Sequence, residues 1–116
     1  MEVDSKPMRR LREKTGVENL WLYVLAELAK GDCYPYALRR AVLEDFGVDA
    51  GKVVFYVVTG KLEAEGFIEG YYRDRRKYYR ITERGRRLLK EGIAYLRTLA
   101  DRLERVSEGG AARCEG

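Results

Sequence analysis

The stretch from Lys61 to Lys90, KLEAEGFIEGYYRDRRKYYRITERGRRLLK, constrains the fold more than any other part of the chain. It opens with the composition of a helix end, and Gly66 stops that helix. Two tyrosine-rich runs follow, one on each side of a charged four-residue turn at 73–76, as expected for two antiparallel strands. Thr82 and Glu83 then supply the N-terminal signal of another helix. The stretch therefore predicts a helix, a two-stranded ribbon with a basic tip, and a second helix.

This order of elements is typical of the second half of a winged helix-turn-helix, and positive charge is concentrated in the same place. From Tyr71 to Lys90, nine Lys and Arg residues stand against two Asp and Glu residues, a net charge of +7, although the whole chain carries only +4. The remaining residues therefore sum to −3. A solvated hairpin tip would explain a run of charge by itself, but charge focused on one element favours a nucleic-acid partner.

The composition excludes several other classes of protein. With 116 residues the chain is one small domain, to which dimerisation would add stability. It has no His, no metal-ligand spacing, no Gly-rich phosphate loop after a strand and no identifiable pair of catalytic carboxylates. Cys33 and Cys114 are expected to be plain thiols, and Cys33 lacks the His partner that nucleophilic catalysis needs. We therefore expect neither an enzyme nor a metal or cofactor site.

The composition also bears on the environment of the protein. No apolar run approaches the length of a membrane span, and no apolar leader opens the chain, so we expect a cytoplasmic protein without a membrane partner. Charged residues make up 36% of the chain, which has no Gln and only one Asn, and this bias is typical of thermophile proteins.

The first half of the chain predicts an arm and two helices. Residues 1–16 are basic and weakly patterned, as in a solvated, frayed terminus or an arm that contacts DNA phosphates or a partner subunit. Val17 to Lys30 has one apolar face at helical spacing. Trp21 on that face is expected to pack in the core or a dimer interface, with a ligand platform as the alternative. A second helix runs from Pro35 to about Phe46, and Asp49 is placed to cap the helix after it.

Residues 52–65 are ambiguous by pattern alone. The β-branched and aromatic run from Val53 to Thr59 is typical of a buried strand. The same segment also contains a helical apolar stripe, formed by Phe55, Val58, Thr59 and Leu62.

The ribbon strands are predicted at Phe67–Tyr72 and Lys77–Ile81. Their alternation places one set of side chains towards the core, namely Ile68, Tyr72, Tyr79 and Ile81. The opposite set, which is expected to face outwards, comprises Tyr71, Lys77 and Arg80.

The end of the chain predicts one long helix from Glu83 to about Val106. Two sets of residues repeat every seven positions, three residues out of step: Leu89, Leu96 and Leu103, and Gly92, Leu99 and Val106. This a/d seam, broken at Gly92, is explained by packing onto its own domain or by a dimerisation helix. We favour dimerisation because so long a terminal helix outreaches a small domain. Residues 107–116 are expected to be a disordered tail.

Several segments resemble the PadR family of winged-helix transcriptional regulators. Residues 25–38, LAELAKGDCYPYAL, are similar to the end of the family's first helix and the entry to its second, with Pro35 and Tyr34 in place of the usual Gly and His. Residues 62–68 resemble the Leu-Glu-x-x-Gly-Leu-Ile end of the third helix, in which Tyr56 also matches. Residues 76–85, RKYYRITERG, are similar to the wing and its exit. The resemblance extends from about Val17 to Leu103.

The resemblance implies that residues 52–65 are a helix, in a mainly α fold with a two-stranded β wing (α+β). Pattern and resemblance together give a basic arm at 1–16, a winged helix-turn-helix domain at 17–82, a C-terminal dimerisation helix at 83–106 and the tail. The family likeness also implies a homodimer, built through the first and C-terminal helices, that acts in repression or autoregulation at a palindromic operator.

On that fold we expect double-stranded DNA to be bound by the third helix and the wing. Lys52 would meet phosphate or a base edge, Tyr56 would position the helix, and Lys61 lies near its far end. The wing would hold phosphate or reach the minor groove through Arg73, Arg75, Arg76 and Lys77. The expected dimer interface comprises Trp21, Leu89, Leu96, Leu99 and Leu103.

One departure from the family pattern leaves base recognition open. Where PadR-like third helices usually carry Ser or Thr, this chain has Val53 and Val54, and the face opposite the core stripe holds Val53, Val57, Gly60 and Ala64. Valine methyls could pack on thymine methyls or form a protein contact. Two other functions also stay open: a protein–protein interaction module with only non-specific DNA binding, and sensing of a small aromatic effector beside Trp21 and Tyr95.

Overall fold

Five helices and one antiparallel ribbon make up the part of the chain that the computed structural model describes, residues 5–115. The helices are α1 (Lys6–Thr15), α2 (Leu20–Lys30), α3 (Pro35–Phe46), α4 (Lys52–Ala64) and α5 (Glu83–Glu108). The ribbon pairs β1 (Ile68–Arg73) with β2 (Arg76–Ile81), and short 3-10 turns lie at Val17–Asn19 and Arg113–Glu115. The expected mainly α fold with a two-stranded wing is confirmed. Expectations for residues 1–4 and 116 lie outside the described residues.

The core lies where α2, α3, α4 and the base of the ribbon meet. Helix α2 is its centre, because it packs against α3, α4, α5 and β2. Its buried apolar residues form one stripe, since they recur at helical spacing: Leu20, Val24, Leu25 and Leu28. The other large, fully buried side chains come from the elements around it, and include Leu38, Val42, Phe55 and Ile68.

The segment that was ambiguous by pattern forms helix α4, as the family likeness implies. Phe55, Thr59 and Leu62 are its buried residues, and only helical periodicity places them on one side. Each valine costs the helix at most about 0.7 kcal/mol relative to alanine. The four valines together cost at most about 2.8 kcal/mol, whereas burial of two large apolar side chains, Phe55 and Leu62, contributes roughly 3–6 kcal/mol. Packing therefore outweighs the strand propensity of the valine run.

Three local features at the ends of elements differ from the predictions. Lys6–Thr15 is a helix rather than a frayed arm, and the Ser5 hydroxyl caps it by accepting a hydrogen bond from the Met8 N–H at 3.3 Å. Asp49 does not cap α4, because Gly51 holds the N-cap position without a side-chain hydrogen bond. Helix α5 continues to Glu108, two residues into the predicted tail.

Helix α5 extends away from the domain, so that the molecule measures 67 Å in one direction and 31 and 21 Å in the others. Thr82 begins it as expected, since its hydroxyl accepts a hydrogen bond from the Gly85 N–H at 3.0 Å. Its first turns pack against β2 and α2, and Gly92 lies against Trp21. In residues 5–115 no helix combines the length and apolarity needed to cross a bilayer.

Candidate nucleic-acid interface

The tip of the ribbon is a two-residue turn. The strands pair from Ile68 opposite Ile81 up to Arg73 opposite Arg76, which leaves only Asp74 and Arg75 between them. Both have positive φ, 51° and 67°, as a type I′ turn requires. The predicted four-residue loop is therefore wrong, because Arg73 and Arg76 belong to the strands. As cross-strand partners they lie on the same face of the ribbon.

That face carries tyrosines and arginines in contact. Tyr71 and Tyr78 are cross-strand partners whose rings stack with centroids 5.8 Å apart and planes inclined by 21°. The Arg80 guanidinium lies over the Tyr71 ring at 4.4 Å, and the Arg73 guanidinium lies over the Tyr78 ring at 4.5 Å. Four side chains from two strands are thereby held in one stack.

Tyr34, at the start of α3, extends the stack. Its ring meets Tyr78 edge-on with centroids 5.8 Å apart, and the Arg76 guanidinium lies 4.2 Å above it. We call the whole set the tyrosine–arginine ladder: Tyr34, Tyr71, Tyr78, Arg73, Arg76 and Arg80. Sequence reasoning assigned no role in the site to its tyrosines. The sequence signal for the ladder is the alternation of Tyr with Arg in both strands. Which of these residues face each other follows only once the length of the turn fixes the strand register.

The ladder prepares Arg73 and Arg76 for an anion, whereas Arg80 Nε already pairs with Glu69 Oε1 at 3.0 Å. A guanidinium above an aromatic ring gains about 0.5–1 kcal/mol at an exposed site, and it uses its flat face to do so. The N–H donors lie along the edge of the guanidinium plane, where they match the oxygens of a phosphate. A side chain already held in place also loses less freedom on binding.

Two contacts fix the ribbon to the loop between α2 and α3. The Tyr71 hydroxyl donates a hydrogen bond to Asp32 Oδ2 at 2.6 Å, and this carboxylate raises the pKa of Tyr71. Cys33 and Tyr79 exchange backbone hydrogen bonds of 3.1 and 2.8 Å. Burial raises the pKa of the Cys33 thiol, which remains unpaired and protonated at neutral pH. The wing is therefore a fixed part of the domain.

The opposite face of the ribbon holds two residues that differ from expectation. Lys77 Nζ lies 3.2 Å from Glu63 Oε1 at the end of α4, so the structure separates this lysine from the other wing cations. Tyr72 was assigned to the core and is 73% exposed. That prediction is wrong because the ribbon projects beyond the domain. Only the base of this face is buried, and it is formed by Ile68, Tyr79 and Ile81.

The outer surface of α4 is apolar and open. Lys52, Val53, Tyr56 and Val57 line a shallow cleft of about 380 Å³, which brings two predicted DNA contacts together with two valines. Lys61 lies elsewhere, at a cavity of about 270 Å³ whose lining includes Trp21, Leu62 and Leu88. No group of three or more His, Cys, Asp and Glu side chains among residues 5–115 is placed to hold a metal ion.

Comparison with known proteins assigns this arrangement to a family. Residues 24–91, from α2 into α5, match the family model described as the transcriptional regulator PadR-like family. The chain belongs to the PadR-like family. The resemblance seen in the sequence is thereby confirmed, and the chain is a transcriptional regulator with a DNA-binding fold. No curated protein matches it.

Solved structures of PadR-like proteins show the same fold. A PadR-family transcriptional regulator from Eggerthella lenta is 27% identical, with a TM-score of 0.71 over 90% of this chain and 91% of that one. A transcriptional regulator from Clostridium thermocellum is 24% identical, with a TM-score of 0.68 over 74% and 90%. A PadR-family regulator from Clostridium difficile is 23% identical, with a TM-score of 0.67 over 75% and 96%.

In this PadR-like chain the predicted dimer residues lie in two environments. Trp21 and Leu89 are partly buried against the core of the chain itself, and Trp21 Nε1 donates a hydrogen bond to Asn19 Oδ1 at 3.2 Å. Further along α5 the stripe is open, with exposed fractions of 40% for Leu96, 41% for Leu99 and 64% for Leu103. The outer half of α5 thus presents apolar side chains to solvent.

Proposed function

We propose that the protein is a homodimeric repressor that binds a palindromic DNA operator through α4 and the wing. The observation that carries this proposal is the tyrosine–arginine ladder, which holds three arginines on one face of the wing. With Arg75 at the tip, Arg73 and Arg76 form a compact basic surface on a chain whose residues outside 71–90 sum to a charge of −3. Such a surface suits the phosphates of a duplex.

The open stripe of α5 supports the homodimer. Leu96, Leu99 and Leu103 repeat along a helix that extends beyond the core, and burying them against the same residues of a second copy removes apolar area from water. A two-fold interface of this kind presents two identical DNA-binding surfaces. The two-fold symmetry of the protein then calls for a palindromic operator.

On DNA, each α4 would enter the major groove and each wing would lie on the flanking backbone. Lys52 and Tyr56 occupy the exposed N-terminal half of α4, where a recognition helix meets bases and phosphates. Arg73, Arg75 and Arg76 would contact phosphates or reach into the adjacent minor groove. Binding to chromosomal DNA would place the proposed regulator in the cytoplasm.

One observation also favours an effector site. A cavity of about 130 Å³ lies between α2 and α5, and its lining includes Trp21, Leu22, Tyr95 and Leu96. Leu96 belongs to the open stripe as well, so a second subunit packed on that stripe would border this cavity. We propose it as the place where a small aromatic ligand would modulate DNA binding.

Hydroxyl-radical footprinting tests the main proposal. The duplex is selected from a random pool for tightest binding to the protein. We expect two protected half-sites about one helical turn, roughly 34–36 Å, apart on one face of the duplex. A single protected site would contradict the dimeric arrangement. A pool that gains no sequence preference would instead favour the alternative, a protein–protein interaction module with only non-specific DNA binding.

A further inference from the structure

The exposed face of α4 offers almost no hydrogen-bonding side chain to a base. Val53 at its centre is 77% exposed and Val57 is 49% exposed. Thr59, the only hydroxyl side chain of the helix apart from Tyr56, is buried and donates a hydrogen bond to the Tyr56 carbonyl oxygen at 3.3 Å. The polar side chains that remain on the exposed surface lie at its margins: Lys52, Tyr56 and Lys61.

Helix α4 also offers no free side chain of the types that recognise adenine or cytosine by bidentate or carboxylate hydrogen bonds. Adenine is read by Asn or Gln, but the sequence has no Gln, and its single Asn, Asn19, bonds to Lys14 and Trp21. Cytosine is read by a carboxylate, but the first acidic residue of α4 is Glu63, which pairs with Lys77. Among base features of the major groove, the valine face complements only the thymine methyl.

The geometry of the face fits a row of methyl groups. Val53 and Val57 are four residues apart on one helical face, which separates them by about 6 Å along the axis. Successive bases of one strand are about 3.4 Å apart, so the two valines span roughly two base steps. Together with Lys52 and Tyr56 they line the cleft on α4, which is open to solvent and therefore accessible to methyl groups.

Charge selects DNA as the occupant of this face. From Lys52 to Leu62 the helix carries two lysines and no acidic residue, so a polyanion can approach the apolar centre from either end. The wing joins the same domain through β1, which packs on α4, and adds the ladder arginines. A duplex satisfies both the charged margins and the apolar centre.

We propose that Val53 and Val57 recognise the 5-methyl groups of thymines in the major groove, so that thymine-containing half-sites are the preferred ligand. This inference rests on the proposed function, because it requires α4 to enter the groove. The valines act as specificity residues, whereas the lysines and wing arginines bind every sequence alike. Each methyl contact contributes about fourfold in affinity, the transfer of roughly one methylene from water.

Replacing thymine by deoxyuridine tests the proposal, because it removes the methyl and leaves the hydrogen-bonding edge unchanged. The probe is the selected duplex, made once with thymidine and once with deoxyuridine, and binding is followed by fluorescence anisotropy. We expect wild-type protein to bind the deoxyuridine duplex about fourfold more weakly for each contacted methyl. The variant V53A/V57A should bind thymidine DNA more weakly than wild type does and show a smaller preference for it over deoxyuridine DNA, because alanine retains only one methyl at each position. Alanine favours the helix, so this variant keeps its fold.

Two controls separate the outcomes. V17A removes an exposed valine outside α4 and should keep the wild-type preference for thymidine DNA. R73A/R76A should weaken binding to both duplexes by the same factor, because phosphates are identical in the two. Specific binding with equal affinity for thymidine and deoxyuridine DNA would overturn the valine proposal and leave the proposed function standing. Failure of the random pool to yield any preferred duplex would instead overturn the proposed function.

Discussion

At the scale of single residues, the proposed binding of DNA by the wing depends on the positions of its arginines as well as on their number. Arg76 is exposed, yet its guanidinium lies 4.2 Å above Tyr34. Arg75 sits at the turn with φ of 67°, a conformation that is uncommon for residues other than glycine. The turn therefore places Arg75 at the tip, while the ladder holds Arg73 and Arg76 along one face of the ribbon.

Replacing Arg76 by alanine should weaken DNA binding equally on all sequences. One lost phosphate contact lowers the slope of log K against log salt by about one unit. The measurement is anisotropy over a salt series, with Arg113→Ala as the control, since it removes the same charge from the turn beyond α5. An unchanged slope for Arg76→Ala would show that this arginine makes no phosphate contact.

A second residue-scale prediction concerns Glu27, which is 7% exposed and paired with Lys30 at 3.3 Å. Burial and then the neighbouring Asp45 carboxylate raise the pKa of Glu27. A carboxyl group with a raised pKa in the folded state stabilises the protein below its ordinary pKa, and this contribution is lost as the pH rises through the raised pKa. The free energy of unfolding of Glu27→Gln should therefore rise relative to that of wild type as the pH increases from the ordinary pKa of Glu27 to its raised pKa.

Urea unfolding of both proteins between about pH 4 and 7 measures this difference. The matched control is Glu104→Gln, an exposed position on α5, whose difference from wild type should stay level. A level difference for Glu27→Gln as well would contradict the assigned cause.

At the scale of elements, the contact between α5 and the ribbon depends on a missing side chain. A Cβ at Gly85 would collide with the Phe67 carbonyl oxygen and lie 2.9 Å from Ile81 Cγ1. A Cβ at Gly60 on α4 would meet no described atom within 4 Å outside its own helix backbone and neighbours. The two glycines have the same chemistry in opposite surroundings.

Gly85→Ala should destabilise the protein by about 1–3 kcal/mol through overpacking. Gly60→Ala should stabilise it by about 0.5–1 kcal/mol, because alanine restricts the unfolded chain and favours the helix. Denaturant unfolding measures both changes. Equal stability of the two variants would mean that α5 does not pack on Phe67 as described.

The elements also show how far the sequence alone leads. Pattern and family likeness predicted α2, α3, α5, the ribbon and the helical state of α4, because each has a buried stripe or a strong end signal. Helix α1 was missed because none of its residues is buried and its only large apolar side chains are Met8 and Leu11, too few to mark a helical stripe. The ladder was missed because it joins Tyr34 to strands more than thirty residues away, and only the folded structure brings them together.

At the scale of the whole molecule, the shape calls for a partner along α5. We expect size-exclusion chromatography with light scattering to give twice the chain mass of 13.4 kDa at micromolar concentration. Leu103→Glu should shift the protein towards the monomer, because it places a charge in the apolar stripe. Thr98→Glu adds the same charge to an exposed position away from the heptad seam and should leave the dimer intact. A wild-type monomer would contradict the dimer.

The most direct test of the central claim, that this PadR-like protein reads an operator, uses the DNA just upstream of its own coding sequence. Fluorescence anisotropy compares that duplex with a scrambled duplex of equal composition over a salt series. We expect a clear preference for the native duplex that persists at physiological salt. Equal binding to both duplexes that disappears as salt rises would contradict it, because phosphate contacts alone would then explain the binding.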